Sequence, residues 1–372
     1  VKPALRVVLL GYGMAGRILH APLIEAAKGL ELRGVVTSDQ GRNLQVQGDL
    51  PLAKVFGSSD EAWSLADEFD IAVIATATAS HLPLALKALQ CGMHVVIEKP
   101  AVGNSEDVST LTEAAHAAGR QVHVFQNRRW DSDFLTLRSL IDSGSLGKLH
   151  RLESRMETLR ERAKSSWRDS PRPEHFGGVL LDLGSHLVDQ ALEIMGPVLC
   201  VSAHARSIRN VEIADDDMQM VLTHESGAIS TLIASKAAAF SGSRFTALGT
   251  HGAVRIDALD SQESALRAGK LPSSNDWGVE PPTAFATLRT ISMSKVVAEE
   301  TIPLKRGRWN GYYPAVLDAI RHGNPAPVRL SDVGANMRVI DAARLAAAKG
   351  ESVSLFPSAC HGSEGLRLSV KN

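Results

Sequence analysis

Short apolar runs recur through the first third of the chain, at Arg6–Leu10, Leu32–Thr37, Ile71–Ala75, His94–Glu98 and Gln121–Phe125. Between them apolar residues return every three or four positions, so the rhythm predicts βαβ units and a parallel sheet. Helix ends are readable as well. Ser80 stands where a cap belongs for a helix running to Gln90, with Pro83 in its first turn and Gly92 beyond its end, and Asn104 or Ser105 opens a helix that closes at Gly119. After about Trp130 the rhythm changes. A helix over Ser132–Asp142 is followed by strand-like runs at Lys148–Thr158, Val198–Ala205, Met218–Thr223, Ala228–Ala234, Phe245–Leu248 and Ala253–Ile256. Short turns such as Glu225-Ser226-Gly227 and His251-Gly252 join several of these runs, as in an antiparallel sheet. One helix, roughly Val179–Met195, interrupts them, and a helical pattern returns over Pro314–Lys349. The stretch Pro272–Thr283, rich in Ser, Pro and Gly, reads as an exposed loop, and the tail after Pro357 as poorly ordered.

Composition narrows the function classes. The chain has 372 residues, 44% of them apolar, and a formal charge of -1. Its basic residues form no run that would track phosphates along a nucleic acid, so a nucleic-acid partner is not expected. No apolar stretch approaches the length of a membrane span, and no basic leader precedes the first strand, which together point to a cytoplasmic protein without a membrane partner. Cys91, Cys200 and Cys360 are widely spaced and odd in number, as expected of reduced, buried thiols.

The first run ends in Gly11-Tyr12-Gly13-Met14-Ala15-Gly16, a G-x-G-x-x-G turn between strand and helix. Gly11 permits a tight turn, Gly13 lets the backbone approach a pyrophosphate, and Gly16 lets the helix pack close to the strand. Amide groups around Met14 and Ala15 would then face the phosphates at the helix N-terminus.

Three further places hold polar groups that the local pattern does not require. Glu98-Lys99-Pro100 ends a buried-looking strand, and ligands in open α/β sheets bind beyond strand C-termini, which places Lys99 at the dinucleotide. A surface lysine opening a loop fits the same position. Pro100 holds Lys99 extended and suits a cis bond that aims its side chain. On one helix, Asp182, His186, Asp189 and Glu193 form a single stripe while the other faces are almost wholly apolar. That stripe suits a solvated helix face, but Gly184 in the interior signals close approach by another group. A carboxylate four residues from an imidazole can fix its tautomer for acid/base work. Metal binding is not expected, because no third ligand stands at suitable spacing. The third place pairs Trp167-Arg168-Asp169 with Asn127-Arg128-Arg129-Trp130, where arginine can clamp an anion and indole can stack on a ring.

Coenzyme choice turns on the end of the second strand. NAD enzymes usually carry an acidic residue about 20 positions beyond the glycines, and here Thr37 takes that place, with Ser38 next and Arg42 nearby. Hydroxyls and an arginine favour the 2′-phosphate of NADP. Asp39, two positions on, keeps NAD open.

These segments, in order and spacing, resemble the glucose-fructose oxidoreductase, inositol dehydrogenase and rhizopine-catabolism proteins, the Gfo/Idh/MocA family. The resemblance runs from the glycine turn through Glu98-Lys99-Pro100 and Gly177-Gly178-Val179-Leu180-Leu181-Asp182-Leu183-Gly184-Ser185-His186 to Gly249-Thr250-His251-Gly252 and Tyr312-Tyr313. Gln126-Asn127-Arg128-Arg129-Trp130-Asp131 is similar to the subgroup that contains scyllo-inositol dehydrogenases. The resemblance implies an α/β protein with a Rossmann domain over residues 1–126, an α+β domain with an open, mostly antiparallel sheet over 127–357, and a tail over 358–372. It also implies NAD(P)-dependent hydride transfer to or from a sugar, inositol or related polyol, and a homodimer or homotetramer. Its catalytic residues fall on Lys99, Asp182 and His186. His186 is expected to take the hydroxyl proton, Asp182 to orient the imidazole, and Lys99 to hydrogen-bond the same oxygen, with the roles of Lys99 and His186 exchangeable. Coenzyme contacts are expected further along at Thr76, Thr78, His81, Glu98 and Asn127, besides Trp167 and Arg168. Many relatives have Thr-Pro where this chain has Thr76-Ala77-Thr78, which relaxes the loop under the nicotinamide ribose. Two other readings stand beside this one: a catalytically silent coenzyme-binding regulator, and a reductase of a non-sugar carbonyl.

Overall fold

The computed structural model describes residues 3–160, 166–210, 212–292 and 295–356, and among these the strands form two sheets. The first contains β1 (Leu5–Leu10), β2 (Leu30–Val36), β3 (Lys54–Phe56), β4 (Ile71–Ile74), β5 (His94–Glu98) and β6 (Val122–Phe125). Its order is β3-β2-β1-β4-β5-β6 with parallel pairing throughout, the doubly wound arrangement that the alternating runs predict. Strands β4 and β6 are buried at every position, as a sheet covered by helices on both faces requires. The three-residue β3 is too short to leave a periodic signal, and the sequence reading has no strand there. Asn104 caps helix Ser105–Ala118 by accepting from the Asp107 amide at 2.9 Å, and the helix ends on Gly119 at φ 58°. Ser80 precedes helix His81–Gln90 without capping it, because its hydroxyl donates to the Ala77 carbonyl and is also hydrogen-bonded to the Thr76 hydroxyl.

The second sheet holds β7 (Leu149–Glu157), β8 (Val198–Arg206), β9 (Asp217–His224), β10 (Ile229–Ser235), β11 (Phe245–Gly249), β12 (Gly252–Ile256), β13 (Phe285–Ser292), β14 (Lys295–Pro303) and β15 (Val353–Ser354). Its order is β14-β13-β12-β11-β7-β10-β9-β8-β15, and only the β7–β10 pair is parallel. Helices Gly184–Met195 and Leu330–Lys349 cover one face of this sheet, and Leu330–Lys349 also packs on Ser105–Ala118 of the first layer. That helix therefore ties the two sheets together.

Several expectations need correction. Strands β13 and β14 were not foreseen, and β14 is solvent-exposed at most positions, so it carries no inward/outward alternation to read. The helix expected over Val179–Met195 is broken into Val179–Asp182 and Gly184–Met195, and the one over Pro314–Lys349 into Tyr312–His322 and Leu330–Lys349, with Gly323 at φ 70° closing the former. The loop expected to be exposed over Pro272–Thr283 contains Trp277, which is fully buried. Cys91 is a free thiol, as expected, but is half-buried; Cys200 is half-buried and disulfide-bonded, against the expectation of a buried, reduced thiol. Cys360 and the tail after Pro357 lie outside the described residues.

Candidate active site

The glycine turn is built as its spacing requires. Gly11 has φ 94°, and a Cβ there would lie 2.8 Å from the Ala75 carbonyl oxygen. A Cβ on Gly16 would sit 1.9 Å from the Gly11 carbonyl oxygen, so only glycine lets this helix approach the strand. Gly13 differs: a Cβ there would meet nothing nearer than Arg42 Nη1 at 3.9 Å and would project into open space. That space is a cavity of about 750 Å³ lined by Gly11, Gly13, Met14, Ala15, Thr37, Ser38, Arg42, Thr76, Trp167 and Arg168 among others. Ten of the expected coenzyme contacts are thus brought to one place, at the N-terminus of helix Ala15–His20. Tyr12, Ser58, Ser59 and Ser80 also line it and were missed, because Ser58 and Ser59 reach it only after β3 joins the sheet.

The other expected contacts stand back from this cavity. Gly16 packs against the turn. His81 is buried, with Nδ1 2.9 Å from the Pro100 carbonyl and Nε2 3.2 Å from that of Thr76, so it braces two loops. Thr78 is buried, and its hydroxyl finds no partner among the described residues. Glu98 is buried with its Oε1 3.5 Å from His20 Nε2, and His20 Nδ1 lies 2.6 Å from the Tyr313 hydroxyl. Asn127 is buried at the start of the turn Asn127–Trp130.

Lys99 follows β5, and its bond to Pro100 is cis. Its Nζ donates to both the backbone carbonyl of Asp182 (2.8 Å) and to Asp182 Oδ1 (3.0 Å). The broken helix makes this possible. The amide of His186 bonds the Leu183 carbonyl instead of that of Asp182, so the Asp182 carbonyl is released to the lysine. The helix start is set from a distance. Asp215 Oδ2 accepts from the Leu180 amide at 2.7 Å, and a Cβ on Gly178, at φ 96°, would run into the Asp215 carboxylate.

Asp182 also lies 3.7 Å from Arg168 Nε and from Lys236 Nζ. Burial disfavours its charge, yet Lys99, Arg168 and Lys236 outweigh this and hold the carboxyl well below the usual range. Arg168 stacks on Trp167 with its guanidinium carbon 4.4 Å from the ring centroid, and both line the cavity, so the site opens onto the coenzyme space.

His186 has a different partner from the one expected. Asp182 is committed to Lys99, and His186 Nδ1 instead lies 3.2 Å from Gln126 Oε1. Burial, together with the charges of Lys99, Arg128 and Arg244, pushes the imidazole well below its ordinary range, so it is neutral near pH 7. The rest of the stripe is structural: Asp189 and Glu193 pair with Arg129, which also meets Asp332. Of the two polar loops, one brings Arg168 to Asp182, whereas in the other Arg128 pairs with Asp131 and Glu263. Gly184 is approached closely, as expected, by the methyl groups of Met220 and Met218.

Residues 5–126 match the model of an oxidoreductase family's NAD-binding Rossmann fold, and residues 138–355 match the C-terminal alpha/beta domain of the same family. The chain belongs to the Gfo/Idh/MocA oxidoreductases. Among its relatives is the scyllo-inositol 2-dehydrogenase (NADP(+)) IolW of Bacillus subtilis, 31% identical over 91% of this chain and 92% of that protein. The scyllo-inositol 2-dehydrogenase (NAD(+)) of the same organism is 27% identical over 71% of this chain and 77% of its own. In structure, the oxidoreductase yvaA of Bacillus subtilis superposes with a TM-score of 0.90 at 29% identity, covering 95% of this chain and 99% of that one. The family is one of NAD(P)-binding oxidoreductases, and among the described residues no helix is long and apolar enough to cross a membrane.

Proposed function

We propose that the protein is an NADP-dependent dehydrogenase of a sugar, inositol or related polyol, with Lys99, Asp182 and His186 as its acid/base group. The observation carrying this reading is the convergence of Lys99 and Asp182 beside a neutral, buried His186, next to a cavity that fits a dinucleotide. The backbone of Gly13, Met14 and Ala15 would hold the pyrophosphate at the helix N-terminus. The bound coenzyme supplies the hydride acceptor or donor. An ammonium has three protons to donate, and two of those on Lys99 go to Asp182, leaving the third for a substrate oxygen. His186 Nε2 takes the hydroxyl proton during oxidation, and Asp182 holds Lys99 in place. This complete set argues against a silent regulator.

NADP is favoured over NAD by the use the chain makes of Asp39. Its Oδ1 accepts from the Arg42 amide at 2.9 Å and caps helix Gln40–Asp49, while Ser38 and Arg42 line the cavity. The 31% identical relative is named for NADP(+) and the 27% identical one for NAD(+). Residues 1–126 then form the coenzyme domain and 127–357 the substrate and assembly domain. A homodimer or homotetramer is supported by the exposed edge strand β14, with Val296 and Val297 60% and 59% exposed.

Turnover of a panel of inositols, aldoses and glycosides with NADP+ and NAD+ tests the reading. Reduction of NADP+ by at least one cyclic polyol or sugar supports it. Tight NADPH binding with no turnover on any member of the panel would contradict it.

A further inference from the structure

The imidazole of His186 is oriented by a residue that lies 60 positions away and outside the helix that carries it. Gln126 follows β6, at the mouth of the parallel sheet, and is 4% exposed. Its Oε1 lies 3.2 Å from His186 Nδ1. The nearer carboxylate in sequence, Asp182, gives Oδ1 to Lys99 and faces Lys236 with Oδ2. We propose that Gln126 is the positioning residue for His186: its amide oxygen accepts from Nδ1–H, fixes that tautomer, and leaves the Nε2 lone pair as the base.

The chemistry of the neighbours explains why an amide suits this place. An amide oxygen selects a tautomer without adding a charge, whereas a carboxylate would select it and stabilise the imidazolium as well. The charged groups that act on His186 are all cations: Lys99 after β5, Arg128 in the turn Asn127–Trp130, and Arg244 just before β11. Arg244 is itself held by Asp133 and by Gln190 Oε1, and Arg128 by Asp131, so these cations are fixed in place. In this setting a neutral partner keeps His186 unprotonated in the resting protein, ready to accept a proton. The arrangement also joins the two sheets at the reactive group, since Gln126 directly follows a strand of one and His186 lies on a helix covering the other.

The tautomer assignment stands on geometry alone, while its catalytic consequence rests on the proposed dehydrogenase function, and the test separates the two. The full chain is labelled with ¹⁵N-histidine, and the His186 signals are assigned from a His186→Gln sample, in the absence of coenzyme. Long-range ¹H–¹⁵N spectra of the wild type are expected to show Nδ1–H and a bare Nε2. In Gln126→Leu this preference is lost, and kcat on the best polyol falls about tenfold or more while KM for the coenzyme stays within twofold. Gln126→Glu restores the tautomer and moves both the His186 titration and the acid limb of kcat/KM upward by about one pH unit or more. A wild-type Nε2–H tautomer would overturn the proposal, as would a tautomer and titration unchanged in both variants. The expected tautomer changes without turnover on any polyol would uphold the positioning role and contradict the dehydrogenase reading alone.

Discussion

Lys99 and Asp182 come from different sheets' layers and meet through two hydrogen bonds, of 2.8 and 3.0 Å, one to a backbone carbonyl and one to the carboxylate. The pair exists because the helix breaks between Asp182 and Gly184, and it takes Asp182 away from His186. The proposed acid/base group is therefore two pairs, Lys99 with Asp182 and His186 with Gln126.

Arg42 is predicted to discriminate between coenzymes. Its guanidinium lies over Gly13 at the cavity, while its amide is spent on the Asp39 cap. A hydrogen bond to a charged group contributes about 1.5–3 kcal/mol. Arg42→Ala should weaken NADPH binding by roughly tenfold or more and leave NADH within about threefold. Fluorescence titration of both coenzymes checks this, and equal losses for the two would mean that Arg42 does not meet the 2′-phosphate.

Arg129 is predicted to matter for folding. It is buried among Asp189, Glu193 and Asp332; removing it leaves buried Asp189 without a cation, while Glu193 keeps Arg138 and Asp332 keeps Arg329. Breaking a buried ion pair from one side costs about 3–5 kcal/mol. Urea unfolding of Arg129→Leu should show a loss of that order at pH 7, and a loss below about 1 kcal/mol would show that the cluster is not stabilising.

Stability is predicted to fall on the acid side through buried histidines. His123 is fully buried and burial lowers its pKa to about 4, with the charge of His94 adding to the effect. Its folded value lies below the unfolded one, so its contribution is fully present above about pH 6.5 and is lost as pH falls towards 4. Between pH 6.5 and 5 the loss is about 1–2 kcal/mol. His123→Phe should flatten that part of the profile. Urea midpoints at the two pH values decide it, and an unchanged slope in the variant would place the titration elsewhere.

The parts of the fold legible in the sequence are those whose chemistry is local. Gly11 and Gly16 announce the turn because Gly11 takes φ 94° and Gly16 packs on the Gly11 carbonyl five residues before it, while Gly13 leaves open space at the cavity. Strand β5 reads to the residue because its apolar run ends on a charged pair. Gly184 rightly signals close packing, although Met218 and Met220 are what approach it. The break at Leu183 was hidden because both helix segments share one periodicity, while Asp215, 35 residues on from Leu180, sets where the first begins. Trp277 lies in a polar stretch, and its burial depends on Gly307 and Arg306, which bond the backbone carbonyls of Gly278 and Trp277. Gln126 carries no local signal at all; only the folded chain brings it to His186.

The central claim is that Lys99 and His186 handle the proton in one hydride-transfer site without holding the coenzyme. Turnover of Lys99→Met and His186→Ala on the best polyol, with NADPH titrated in the same samples, tests it most directly. General acid/base groups contribute about 10²–10⁴-fold, so kcat in each variant should fall by that order while the NADPH dissociation constant stays within about threefold. Near-wild-type turnover in either variant would contradict the account.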